Sequence, residues 1–267
     1  MRYFRAFLAY FKIGFIQHIY YRGSFIFDFL GRLIGLMFII FLWSTIYTTH
    51  TEIGGLTLSG IIVYYFFANL SRVIANPNVA YAINEHIKNG RMQTLIVRPL
   101  HPLLFYFGWI MAKRVGETIA FAIVTIIGLG IIFPLLGLAV GQIHFFAFLI
   151  FIILAIVLAY LMGAIVGMSA FWITDARPLV FGFGPLSGFL SGLTIPLSFI
   201  PEPYRNFFNY LPFKFMVSEP VKVLQGNLAG GEMIKSFFIA VGWVVVLYLL
   251  TLLVWNRGQH RFEAVGQ

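Results

Sequence analysis

The residues with which this chain could do chemistry are few and scattered. It has no cysteine, which excludes disulfides, zinc–thiolate sites, iron–sulfur clusters and thiol catalysis. Its six histidines, His18, His50, His86, His101, His144 and His260, are dispersed, and none belongs to an H-E-x-x-H helix pattern. Asn84, Glu85 and His86 are consecutive, but adjacent side chains on a helix diverge by about 100°. They cannot converge on one ion, so they read as surface residues. Ser187 and Ser191 lie near glycines, yet neither occupies a G-x-S-x-G elbow. They read as packing or pore-lining serines. The glycine run Gly226–Gly231 is followed by Glu232 where a phosphate loop needs lysine, so the chain has no nucleotide-binding motif.

What must carry function is therefore the scaffold. Of the 267 residues, 60% are apolar and 10% charged, and mean hydropathy is +0.91. Soluble domains carry about a quarter charged residues; here there is too little charge to coat a water-facing surface. Soluble enzymes, nucleic-acid binders and disordered tails are excluded on that ground. The net charge of +9 then reads as basic residues held on one side of a membrane.

Six stretches approach the ~20 apolar residues a membrane helix needs: Phe25–Tyr47, Leu58–Ala75, Val115–Leu136, Phe145–Trp172, Leu179–Ile200 and Phe237–Trp255. The runs are continuous rather than alternating, which predicts an all-α membrane protein and not a barrel. Ahead of them, Arg2, Arg5 and Lys12 fall within about 80° on a helical wheel, with Phe4, Phe7, Leu8, Phe11 and Phe15 largely opposite. That pattern predicts an interfacial amphipathic helix over residues 1–24, followed by a six-span domain over 25–267. With the N-terminus inside, fourteen of the eighteen Lys and Arg fall on the cytoplasmic side. The other four, Arg205, Lys214, Lys222 and Lys235, are matched by Glu52, Glu202, Glu219 and Glu232. The bias predicts that both termini are cytoplasmic.

Two connecting segments are unlike ordinary loops. Residues 78–102, on the cytoplasmic side, predict a short helix over Val79–Asn89. A surface pair between Glu85 and Lys88 is expected there, with Gly90 ending the helix. Pro99 and Pro102 prevent a continuous helix into the next span. Such a charged amphipathic element is either a docking site for a soluble partner or a solvated loop. Residues 200–232, outside, are aromatic but broken by Pro201, Pro203, Pro212 and Pro220. They predict short re-entrant helices dipping into the outer interface.

Taken together, the six spans, the basic amphipathic N-terminus and the proline-broken outer segment resemble the type-two ABC exporter permeases. Glu85-His-Ile-Lys-Asn-Gly90-Arg-Met-Gln-Thr-Leu95-Ile-Val-Arg98-Pro99-Leu100 is similar to that family's cytoplasmic signature, and Tyr210-Leu-Pro212 and the basic tail Trp255–Arg261 also match the pattern. The resemblance implies a dimer, of this chain or of two related chains, bound to two ATPase subunits that carry ATP and Mg. It implies that Glu85, His86, Lys88, Asn89 and Arg91 form the coupling helix seated in the ATPase. Asp175 and Arg177 would make a second, smaller inner contact. It further implies that the second and fifth spans line a central cleft, with Phe66, Phe67, Asn69, Phe183, Ser187, Phe189, Ser191 and Thr194 along the path. The expected setting is a bacterial or archaeal plasma membrane.

The remaining intramembrane features fit that expectation. Asp28 and Arg32, four apart, are expected to pair and snorkel at the inner end of span one. Lys113, Arg114 and Glu117 are expected on the cytoplasmic approach to span three. Gly184, Gly188 and Gly192 in span five, Gly31 and Gly35 in span one, and Gly163 and Gly167 in span four are small-residue ridges suited to close helix approach. Pro185 weakens the span-five backbone and permits a hinge. No buried charge cluster suggests small-ion transport, and an aromatic cleft suits an amphipathic or lipid-like cargo. An ion-coupled carrier would need groups at mid-membrane. A membrane enzyme would need catalytic groups, and a scaffold would need neither.

Overall fold

A computed structural model describes residues 8, 9, 11, 12, 16, 22–98, 100–135, 144–173 and 175–265. Among these the chain is all-helical, and five helical segments are long and apolar enough to cross a membrane. The interfacial helix expected over residues 1–24 lies largely outside the described residues, as do the side chain of Asp28 and the junction at 136–143.

Helix α1 (Arg22–Ile46) is apolar on every side. Only 6% of its spanning window is buried by the rest of the chain, and Phe27, Phe38 and Phe41 are well over half exposed. That surface is stable only against lipid or another chain. The helix ends where Thr45, Thr48 and Thr49 turn their hydroxyls onto the carbonyls of Phe41, Thr45 and Ile46. A tight turn at Gly54 and Gly55, both at positive φ, reverses the chain.

Helix α2 (Leu58–Ile74) starts at Thr57, whose hydroxyl accepts the Gly60 amide at 3.3 Å. Its segment is the most enclosed of those long enough to cross a membrane, with eleven buried residues from Ile61 to Val73. After a break at Ala75–Asn78 comes helix α3 (Val79–Lys88), then the short α4 (Met92–Ile96). Gly90, at φ +69°, supplies the left-handed residue between them.

Helix α5 (Pro102–Ile127) begins with proline at its first position and His101 as its cap. It continues through a π-turn at Gly128–Ile132 into Phe133–Leu135. The span expected from Val115 thus begins thirteen residues earlier. As expected, no continuous helix runs through Pro99 and Pro102: α4 ends at Ile96, and Pro102 opens the next helix. Lys113, Arg114 and Glu117, expected on the approach to the span, lie within it.

Helix α6 (Phe145–Met168) is the apolar pillar of the fold. Helix α7 (Arg177–Leu190) corrects the expected span over Leu179–Ile200. It has fourteen residues, about 21 Å at 1.5 Å per residue, too short to cross on its own. It stops because Ser191 turns and Gly192 adopts φ +87°. Three short elements follow: α8 (Glu202–Tyr210), a 3₁₀ segment at Pro212–Met216, and α9 (Ser218–Leu224). Helix α10 (Gly230–Val265) then runs for 36 residues.

The core lies where α2, α6 and the 212–224 segment meet. Tyr65, Phe215, Met216, Leu158 and Leu224 are almost completely enclosed there. Backbone bonds lock the outer elements to it: the His144 amide donates to the Leu224 carbonyl at 2.9 Å, and the Ser218 amide to Ser191 at 3.1 Å. Tyr64 donates to the carbonyl of Gly192 at 2.7 Å, and Tyr65 to that of Thr194 at 2.9 Å. The turn after α7 is therefore fastened to α2.

Candidate functional site

Helix α3 buries one face and exposes the other. Val79, Ala80, Ile83, Asn84 and Ile87 point inward, at the spacing of a single helical stripe. Glu85 and Lys88 point outward, and Asn89, Gly90 and Arg91 after them are exposed as well. The inward face rests on α6, and Gly163 and Gly167 permit the approach. A Cβ at Gly163 would overlap the Pro77 carbonyl; one at Gly167 would stand 2.8 Å from the Ala80 carbonyl oxygen. The ridge foreseen on span four is thus the seat of the short helix.

This seat is reinforced from α5. Tyr106, fully buried, makes a 2.6 Å hydrogen bond with Nδ1 of His86. Tyr160 on α6 donates to the Leu103 carbonyl. Met92 and Leu95 bury α4 beside α3. Trp255 packs against both His101 and Phe171 and is 4% exposed. It closes the protein interior rather than anchoring at a lipid interface.

The expected Glu85–Lys88 pair is not the one formed. Lys88 reaches Asp175 at 3.1 Å, and Glu85 accepts the Asn89 side-chain amide at 3.1 Å. The Arg177 guanidinium grips Asp175 through Nε at 2.9 and 3.0 Å, and the Arg177 backbone amide donates to the same carboxylate at 3.1 Å. Arg177 and then Lys88 hold the Asp175 carboxyl well below the usual carboxylate range. Exposed pairs add little stability. What this one does is tie the two inner segments, 79–91 and 175–177, into one surface. All seven residues expected at the inner contacts lie on or beside it.

The expected pathway residues do not gather in one cleft within a single chain. Phe66 packs on Phe133, and Phe67 on Phe148. Asn69 donates to the Tyr65 carbonyl one turn back. Ser187 and Ser191 are fully buried and donate to the carbonyls of Gly184 and Gly188. Phe183 is partly buried against Phe213; Phe189 and Thr194 are exposed.

Sequence reasoning missed a buried ionic cluster at the other end of the fold. Glu219, 3% exposed, accepts the Ser236 hydroxyl at 2.5 Å. Its other oxygen faces Lys214 at 3.6 Å and Lys222 at 3.5 Å. Glu219 and Lys222 show the i, i+3 spacing of a helical pair; Ser236, on another helix, gave no local signal.

Apolar helices long enough to cross a membrane, with a small charged platform at one end, define a multi-pass membrane protein; among the described residues no group of acids and histidines could hold a metal. The family described as "ABC-2 family transporter protein" matches residues 33–266. The chain belongs to that family. It is a multi-pass membrane protein, and membership implies a partner ATPase in a transporter complex. No curated protein matches the chain.

Proposed function

We infer that the chain is the permease subunit of an ATP-driven exporter, and that α3, α4 and the 175–177 segment form the platform on which the ATPase docks. One observation carries this reading. An amphipathic ten-residue helix is held rigidly in a glycine seat, with Glu85, Lys88, Asn89 and Arg91 turned outward and with Lys88 tied to Asp175. A solvated loop has no need of such a seat; a part that transmits force does. His86 does not face outward with the others. It is half-buried against Tyr106, so its role is to fix α3.

In this reading the permease is a dimer, of identical or related chains, with two ATPases that hold ATP and Mg. ATP-driven closure of the ATPases pushes α3 against α6 and α5, and the bundle shifts from inward to outward access. Helix α7 with the 191–200 segment completes a sixth crossing, and the short helices after it are re-entrant at the outer face. The basic end, where the platform lies, faces the cytoplasm of a bacterial or archaeal cell, as the charge bias favours. The central path forms between two chains, which is consistent with Phe189 and Thr194 being exposed in one chain alone. An aromatic path suits amphipathic or lipid-like cargo.

The test is co-purification from native cells in nanodiscs, followed by an ATPase assay, for the natural chain and for Glu85→Ala and Arg91→Ala. A soluble ATPase that co-purifies with the natural chain and is lost or uncoupled in the variants supports the reading. An intact, stable chain that repeatedly purifies alone refutes it.

A further inference from the structure

A second charged constellation lies along the bundle, part of it buried. Arg32 on α1, Arg72 on α2, and Lys113 and Arg114 on α5 all fall within segments long enough to cross the membrane. Charges there are expensive and mark sites of function. Arg114 pairs with Glu117 at 2.7 Å. Arg72 donates through one nitrogen to the Gly184 carbonyl at 3.2 Å, while its other terminal nitrogen is buried without a hydrogen-bond partner. Among the described side chains Glu85 and Glu117 are set against the four cations, so positive charge is in excess.

Part of this cluster opens on a cavity of about 400 Å³. Arg32, Lys113 and Arg114 line it, together with Glu85, Glu117, Tyr81 and Trp109. Cations beside amphipathic aromatic rings are what an anionic group at the membrane–water boundary requires. The volume suits a headgroup and not a whole lipid. Lys113 at its rim is exposed, so the cavity is open to its surroundings, while the uncovered Leu30 and Ile34 lie on the face of α1 turned away from Arg32.

We propose that this cavity binds the phosphate-bearing headgroup of an anionic lipid, with its acyl chains directed out into the bilayer. Arg32, Lys113 and Arg114 neutralise the phosphate. Glu117 orients Arg114 and offsets part of the repulsion among the cations. The assignment holds whether the lipid is cargo or a resident of the membrane, and it does not depend on which protein docks at α3.

The test is native mass spectrometry of the full-length chain, released from vesicles of phosphatidylcholine with or without phosphatidylglycerol. The natural chain is expected to retain phosphatidylglycerol preferentially. Arg32→Gln combined with Lys113→Gln is expected to reduce that preference at least about tenfold. Lys113→Gln alone, on an exposed side chain that the fold tolerates, gives a partial loss. Arg257→Gln, a cation elsewhere on α10, leaves it intact. Equal retention in the natural chain and both cavity variants overturns the proposal, as does an equal loss in Arg257→Gln. Inorganic phosphate separates the sources: failure to displace the lipid supports a lipid headgroup site, and displacement by phosphate alone makes it a soluble-anion pocket and overturns the lipid assignment.

Discussion

Replacing Gly163 with alanine adds one methyl group to the seat of α3, and its effect can be worked out from the contacts. The new Cβ would overlap the Pro77 carbonyl and stand 2.9 Å from Cγ1 of Val79. Carbon atoms rest at about 3.5–4.0 Å, so α3 and the Pro77 turn must retreat by at least roughly 0.6 Å. Overpacking of this kind costs about 1–3 kcal/mol. Against it stands the better helix propensity of alanine, about 1 kcal/mol. The net expectation is a loss of up to about 2 kcal/mol, seen as a lower unfolding midpoint in nanodiscs. Gly242→Ala on α10 is the control, because a Cβ there meets nothing within 4 Å. It should be neutral or stabilising by up to about 1 kcal/mol. ATP hydrolysis by the assembled transporter should become less responsive to the permease in Gly163→Ala and stay unchanged in Gly242→Ala. Equal midpoints and equal hydrolysis in the two variants would refute the idea that α3 is held by a tight seat.

Three further outcomes are expected. Lys88→Ala removes an exposed pair worth about 0.2–1 kcal/mol, so the unfolding midpoint should barely move while stimulation of the ATPase falls. Because the Asp175 carboxyl is depressed, its contribution is present above the ordinary carboxylate pKa and lost only as pH falls through the lower folded value. The Lys88→Ala effect should therefore have the same size at about pH 7.5 and about pH 5. Glu219→Gln strands Lys214 in the interior and should cost roughly 3 kcal/mol, the low end of the range for broken buried pairs, since Lys222 is a third exposed; faster proteolysis within residues 197–229 would report it. Tyr64→Phe leaves the Gly192 carbonyl without its donor and should lower stability by about 1–3 kcal/mol in thermal unfolding.

Much of the fold was legible because long apolar runs and glycine signals are local. Leu58–Ala75 and Phe145–Trp172 match α2 and α6 closely, and Gly90 takes the left-handed conformation its position suggested. The errors have specific causes. Span five was read through because Leu190–Ile200 stays apolar; only the backbone turn at Gly192, fixed by Tyr64 from α2, ends the helix. Span three was begun too late because Lys113, Arg114 and Glu117 looked like a water-facing approach, whereas two of the three compensate each other in the interior. The Glu85–Lys88 pair was inferred from spacing, yet a tertiary partner, Asp175, outcompeted it. Which residues face outward on α3 could be read from its period, but the α6 glycines that receive it could not be matched to it without the tertiary structure.

The central claim is that a soluble ATPase sits on the α3–α4 platform at the cytoplasmic face. The chain has no cysteine, so a single introduced thiol is unambiguous. Asn89→Cys places one on the platform, and Asn227→Cys places one at the opposite end, after α9; both native side chains are exposed. Each variant is expressed with its native partners, treated in cells with a short membrane-permeant thiol–amine cross-linker, and the adducts are identified by mass spectrometry. The account predicts a cross-link from residue 89 to an ATPase and none from residue 227. A cross-link from residue 227 alone, or equal cross-linking from both, would contradict it.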